Sequence, residues 1–252
     1  MIFDSHAHLN DSAFDGERDE LIASLSLSGV EGFCEIAYDM DSSYKAIELS
    51  DKYENVYAAI GIHPENADKK YDIEELRKLS KNKKVVAIGE IGLDYHYDEP
   101  KREIQKKCFI DNINLAKSLN IPVIIHSRDA AKDTYDIVKS TEAFKNGGIV
   151  HCFSYPVEMA RLYINLGMYI GIGGALTFKN SKKLVEVAEN IPLERIVLET
   201  DCPYMAPVPV RGTRNDPTNL PYVVKKLAEI KKLPEEEVIS VTRENIKKIY
   251  GV

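Results

Sequence analysis

The sequence predicts a single domain, residues 1–252, of the TIM-like (β/α)8 barrel class, on three observations. Short apolar runs alternate with helical patterns along the whole chain, eight such runs can be counted, and 252 residues suit one closed barrel of roughly 250. The runs are Ile2–His8, Val30–Ala37, Val56–His63, Val85–Ile91, Ile121–His126, Gly148–His151, Met168–Ile172 and Ile196–Asp201. Each is rich in Val, Ile or Ala and is followed by turn-forming residues, which is the signature of a strand buried on both faces. Between them, Asp72 with Glu75 makes a capping-box pattern, Pro100 suits a first helical turn, and Ser181 is placed to cap a helix through Leu184 and Val187. Gly167 is placed to stop a helix beginning near Val157, and 219–250 reads as helical with Pro234 restarting it after a turn.

Composition sets mild bounds. A charged fraction of 29% and a hydrophobic fraction of 44% are those of a soluble globular protein with a sizeable core. No repeat or linker divides the chain, and neither a charged-then-apolar leader nor a run of ~18 apolar residues occurs. The expectation is therefore a cytoplasmic protein, with no membrane contact and no obligate protein partner. Cys34, Cys108, Cys152 and Cys202 lack CxxC spacing and read as small buried hydrophobes. A net charge of −7 argues against broad electrostatic capture of duplex nucleic acid, yet leaves a phosphate substrate open because bound cations can invert the local potential.

The chemistry lies at the strand ends. Five of the six histidines, with one glutamate and one aspartate, fall there in the order His6, His8, His63, Glu90, His126, His151, Asp201. Imidazole nitrogens and carboxylate oxygens are what a borderline divalent cation prefers. In Asp4-Ser5-His6-Ala7-His8 the period of two puts both imidazoles on one face, with Asp4 behind them to orient a ligand. Glu90, among apolar neighbours, must be protonated, ion-paired or metal-bound, and bridging two cations is the preferred reading. His126 and His151 end apolar strands and point into the barrel mouth. Asp201 can ligate a metal and act as general base, while Glu199 on its face is either a second carboxylate or half of a structural ion pair. His63 and Arg128 can hold an anionic group such as phosphate. His96 lies beyond its strand end and reads as an exposed loop residue. Trp is absent and no base-stacking platform is evident.

At these residues the sequence resembles the TatD family of metal-dependent hydrolases, within the amidohydrolase-like superfamily. The likeness is carried by Asp4-Ser5-His6-Ala7-His8-Leu9, Gly61-Ile62-His63-Pro64, Gly89-Glu90-Ile91-Gly92-Leu93-Asp94, Ile125-His126-Ser127-Arg128, Val150-His151-Cys152-Phe153-Ser154 and Glu199-Thr200-Asp201-Cys202-Pro203-Tyr204. Residues 209–215 resemble the family's Arg-Gly-x-x-Asn loop. The resemblance implies two divalent ions, one held by His6, His8 and Asp201, the other by His126 and His151, with Glu90 bridging. It implies a deoxyribonuclease that cuts single-stranded DNA from 3′ ends. Hydrolysis at a carbonyl, as by a D-aminoacyl-tRNA deacylase or an amide or ester hydrolase, is the alternative. The donor set suits zinc, manganese, cobalt or nickel, with magnesium held more weakly. His96 stands where that family usually carries an aromatic residue.

Overall fold

A computed structural model of the chain describes residues 1–97 and 99–252. Eight strands are ordered in the sheet as they are in the chain: β1 (Ile2–Ala7), β2 (Val30–Ile36), β3 (Val56–Ile60), β4 (Val85–Asp94), β5 (Val123–Arg128), β6 (Gly148–Val150), β7 (Tyr169–Ile172) and β8 (Ile196–Leu198). The α-helices of the described residues are α1 (Arg18–Ser24), α2 (Met40–Lys52), α3 (Ile73–Leu79), α4 (Arg102–Leu119), α5 (Ala131–Thr141), α6 (Val157–Asn165), α7 (Lys182–Asn190), α8 (Leu220–Lys231) and α9 (Glu235–Tyr250). Parallel strands alternating with helices in this order form the TIM-like (β/α)8 class.

β1, β3, β6 and β8 stop short of the histidine or aspartate expected to end them, so His8, His63, His151 and Asp201 lie in the segments just beyond the strands. β4 runs longer than the expected Ile91, because its ladder with β5 continues through Gly92↔His126 to Asp94↔Arg128. The chain divides into two compact units, Met1–Cys34 with Cys152–Leu162 and Ile170–Val252, and Glu35–His151 with Tyr163–Tyr169.

In the first unit β7 pairs with β8 through Ile170↔Ile196 and Ile172↔Leu198. β1 and β8 are joined beyond their ends by Asp201 N–H to the His6 carbonyl, 2.9 Å, and His8 N–H to the Cys202 carbonyl, 3.0 Å. α9 docks against both strands: the buried Asn245 Nδ2 donates to the carbonyls of Leu193 (2.9 Å) and Ile196 (2.8 Å), and Tyr250 OH donates to the Ser5 carbonyl (2.9 Å). Acidic Glu235–Glu237 in its first turn and Lys247 and Lys248 in its last complement the helix dipole.

The second unit carries the β3 to β6 ladders. Gln105 of α4 pins the end of β4, donating to the Asp94 and Pro100 carbonyls at 2.8 Å each and accepting from Asp94 N–H at 2.9 Å. Asp72 caps α3 by accepting from Glu74 and Glu75 N–H, and Gly167, at φ +88°, follows the end of α6 as expected. Pro100 instead precedes Lys101, the residue before α4. Ser181 stands at the start of α7 without capping it, because its hydroxyl turns back to donate to the carbonyls of Leu176 and Phe178.

Three of the four cysteines are buried, Cys152 is half-buried, and none forms a disulfide. No helix among the described residues is long and apolar enough to cross a membrane. Replacing Asn245 by Ala removes two buried hydrogen bonds and leaves the Leu193 carbonyl with the Ile196 N–H alone. A stability loss of about 3 kcal/mol in urea unfolding is expected, with the slope unchanged; wild-type stability would show that α9 is not anchored this way.

Candidate metal centre

The strand-end side chains gather into two clusters, one within each unit. In the first, the period of two on β1 sets His6 and His8 on one face, and their Nε2 atoms come to 3.1 Å. Asp201, brought beside them by the β1–β8 backbone bonds, places Oδ1 3.7 Å from His6 Nε2 and 3.6 Å from His8 Nε2. Donor atoms bound at ~2.0–2.2 Å around one tetrahedral or octahedral ion stand roughly 3.0–3.6 Å apart. The three atoms therefore have close to the mutual spacing of a coordination shell, with Asp201 Oδ1 beyond hydrogen-bond distance of both Nε2 atoms. Asp201 adopts φ +56°, a left-handed conformation that aspartate tolerates better than most residues.

Asp4 does not orient an imidazole. It accepts from His6 N–H at 3.1 Å, from Thr200 N–H at 3.0 Å and from the Thr200 hydroxyl at 2.5 Å, and so fixes the backbone on which His6 and Asp201 ride. Burial pushes its carboxyl up to about 7, even though these bonds pull the other way. Glu199 is buried, with Oε1 accepting from Cys152 N–H at 2.5 Å, so it braces the residue that follows His151.

In the second unit, Glu90 Oε1 lies 2.8 Å from His126 Nδ1, 2.5 Å from His151 Nε2 and 3.6 Å from His63 Nε2. His126 Nδ1 and His151 Nε2 are 3.3 Å apart. His126 Nδ1 and His151 Nε2 have the spacing of two ligands of one cation, while Glu90 Oε1 sits at hydrogen-bond distance from both. Gly92 makes the arrangement possible: at φ +147° it lies against His126, where a Cβ would run into the carbonyl oxygen.

Asp94, absent from the residues expected at the site, places Oδ2 2.9 Å from His126 Nε2. A carboxylate on the far nitrogen orients a ligating imidazole and raises its basicity. The signal was in the sequence, since Asp94 shares the period-two face of Glu90. Burial alone would raise the Glu90 carboxyl, but the facing His151 and His63, with bonds from His126 and His151, hold it well below the ordinary value. Burial likewise opposes a proton on His126, yet its bonds to Asp94 and Glu90 carry it up to about 10.

His63 is different in kind. Burial drives it down to about 3, so it is neutral, and its Nδ1 accepts from Glu65 N–H at 3.2 Å, which leaves the ring proton on Nε2. A ring that donates from Nε2 suits an anionic oxygen, although His63, Glu90 and His126 together also have the proximity of a metal-holding group. Arg128 is exposed, with its guanidinium carbon 5.7 Å from the Tyr97 ring centre. His96 is exposed as expected, and its Nδ1 lies 3.1 Å from Asp129 Oδ2.

Clustered imidazole and carboxylate donors at the strand ends of a (β/α)8 fold define the class of metal-dependent hydrolases. The chain belongs to the TatD family within that class: the family model described as TatD related DNase matches residues 3–251. It is 42% identical to the uncharacterized metal-dependent hydrolase YabD of Bacillus subtilis over 100% of both chains. It is 35% identical to YcfH of Escherichia coli K12, another uncharacterized metal-dependent hydrolase, over 100% of this chain and 96% of that one. Among solved structures it is similar to YjjV, a TatD homologue from Escherichia coli K12, with a TM-score of 0.94 and 30% identity, covering 100% of this chain and 98% of the other.

A cation entering the second cluster must displace the His126 proton at any pH below about 10, so apparent affinity rises with pH. Calorimetric titration of metal-free protein in buffers of different ionisation enthalpy is expected to report proton release; binding without it would contradict the protonation described here. Asp94→Asn keeps the shape and removes the charge. A loss of about 10- to 100-fold in affinity for one ion is expected in chelator-dye competition, and unchanged affinity would remove Asp94 from any role at the centre.

Proposed function

We propose that this metal-dependent hydrolase is a deoxyribonuclease that cleaves phosphodiester bonds of single-stranded DNA from the 3′ end, using two divalent ions. His6, His8 and Asp201 would hold one ion, and Glu90, His126 and His151 the other. The whole chain is one catalytic domain acting in the cytoplasm. The observation that carries the reading is the spacing of the His6, His8 and Asp201 donor atoms, 3.1 to 3.7 Å, which is close to that of ligands around a shared cation.

Bound ions of this kind lower the pKa of water toward neutrality and stabilise charge on a phosphoryl oxygen. The protein supplies the rest. Asp201 orients the attacking water and takes its proton. His63, neutral and protonated on Nε2, donates to a non-bridging phosphate oxygen. Arg128, exposed on the same unit, offers its planar guanidinium to the phosphate. Asp94 keeps His126 turned toward Glu90. The family description as a DNase supports phosphodiester over carbonyl chemistry.

Hydrolysis of a 3′-labelled single-stranded oligonucleotide, an aminoacyl-tRNA and simple esters, each with and without chelator, tests the substrate. Chelator-sensitive release of 3′ nucleotides is expected, and cleavage of carbonyl substrates alone would reject the nuclease reading. Glu90→Ala, with its fold checked by circular dichroism, is expected to lose bound metal by elemental analysis and nearly all turnover. Arg128→Ala is expected to raise KM roughly tenfold with a smaller effect on kcat.

A further inference from the structure

In a chain of net charge −7, two segments of the first unit carry basic residues and no acid. Residues 173–183, after β7, contain Lys179, Lys182 and Lys183 and no acid; residues 202–215, after β8, contain Arg211 and Arg214 and no acid. The two arginines have separate fates. Arg214 is consumed by the fold, donating to the Ala13 carbonyl and to Glu17 while covering Phe14. Arg211 is exposed, has no carboxylate within ion-pair distance among the described residues, and lies with its guanidinium carbon 4.1 Å from the centre of the half-buried Phe178 ring.

The loop that presents Arg211 is held firmly. Val208 N–H donates to the Thr177 hydroxyl at 2.8 Å, Asn215 Nδ2 donates to the Thr200 carbonyl at 3.0 Å, and Gly174 leaves room for the Met205 carbonyl where a Cβ could not. Tyr204, 60% exposed, lies in the same loop and donates its N–H to the Asp201 carbonyl at 3.0 Å.

We infer that Arg211 stacked on Phe178, together with Tyr204 and Lys179, Lys182 and Lys183, forms a rim that binds single-stranded nucleic acid leading to the first cluster. Bases stack on the planar guanidinium and on the Tyr204 ring, and the lysines neutralise the phosphates, the combination by which strands are held without sequence preference. This rests on the nuclease reading above and extends it from the scissile phosphate to the strand beyond.

Steady-state kinetics on a short oligothymidylate and on bis(4-nitrophenyl) phosphate, at several salt concentrations, test it. Arg211→Ala is expected to raise the ratio of the two KM values about tenfold and to lower the slope of log KM against log salt by about 0.7. Arg211→Lys restores the slope and only part of the ratio. Phe178→Leu raises the ratio and leaves the slope. Lys45→Ala, which removes an equal charge from α2, alters neither. A wild-type ratio and slope in Arg211→Ala, or an equal change in Lys45→Ala, overturns the rim while leaving the nuclease reading intact. A wild-type enzyme that does not hydrolyse the oligonucleotide overturns both.

Discussion

Buried imidazoles and carboxylates raise free energy unless each finds a partner, and the strand ends of this protein concentrate them. His6, His151, Glu90, Asp4, Asp94 and Glu199 are all buried. Within the first unit three donor atoms approach one another to 3.1–3.7 Å, the spacing that a shared cation would favour. Within the second, a doubly protonated His126 reaches Glu90 from Nδ1 and Asp94 from Nε2. The surrounding backbone is built to tolerate this. Asp4 gathers the amides of His6 and Thr200, Glu199 gathers that of Cys152, and Gln105 ties down Asp94.

The same interactions sort the histidines by role. A ligating imidazole needs its far nitrogen to donate, as His126 does to Asp94, whereas His63 has its far nitrogen accepting from Glu65. Two residues of one type, on the ends of β3 and β5 in one unit, are thus prepared for opposite tasks by one neighbour each. Burial opposes a proton on both rings: at His126 the bonds to Asp94 and Glu90 outweigh it, and at His63 it prevails.

Much of this was legible in the sequence because the fold repeats one simple pattern. Eight apolar runs ending in Gly, Pro, Ser or Asp announced eight strands, and the regular appearance of His, Glu and Asp at their ends announced the donor atoms. Strand limits were less legible: β4 extends to Asp94 because β5 offers partners as far as Arg128, a matter of pairing that no single run encodes. Asp94 itself was overlooked beside the more conspicuous Glu90, though it shares that face. Asp4 carried a readable carboxylate with an unreadable partner, since Thr200 lies 196 positions away. Ser181 matched a capping pattern, but capping depends on the direction of the hydroxyl, which the carbonyls of Leu176 and Phe178 decide.

The left-handed backbone at Asp201 has a consequence for the history of this position. Such a conformation admits glycine, asparagine and aspartate with little strain and resists longer or branched side chains. Of those three, aspartate alone carries an acid. Glutamate meets more strain there without being barred, since Glu142 takes φ +57° in the same chain. The main chain at the end of β8 thus leans toward a short acid before any chemistry is asked of it.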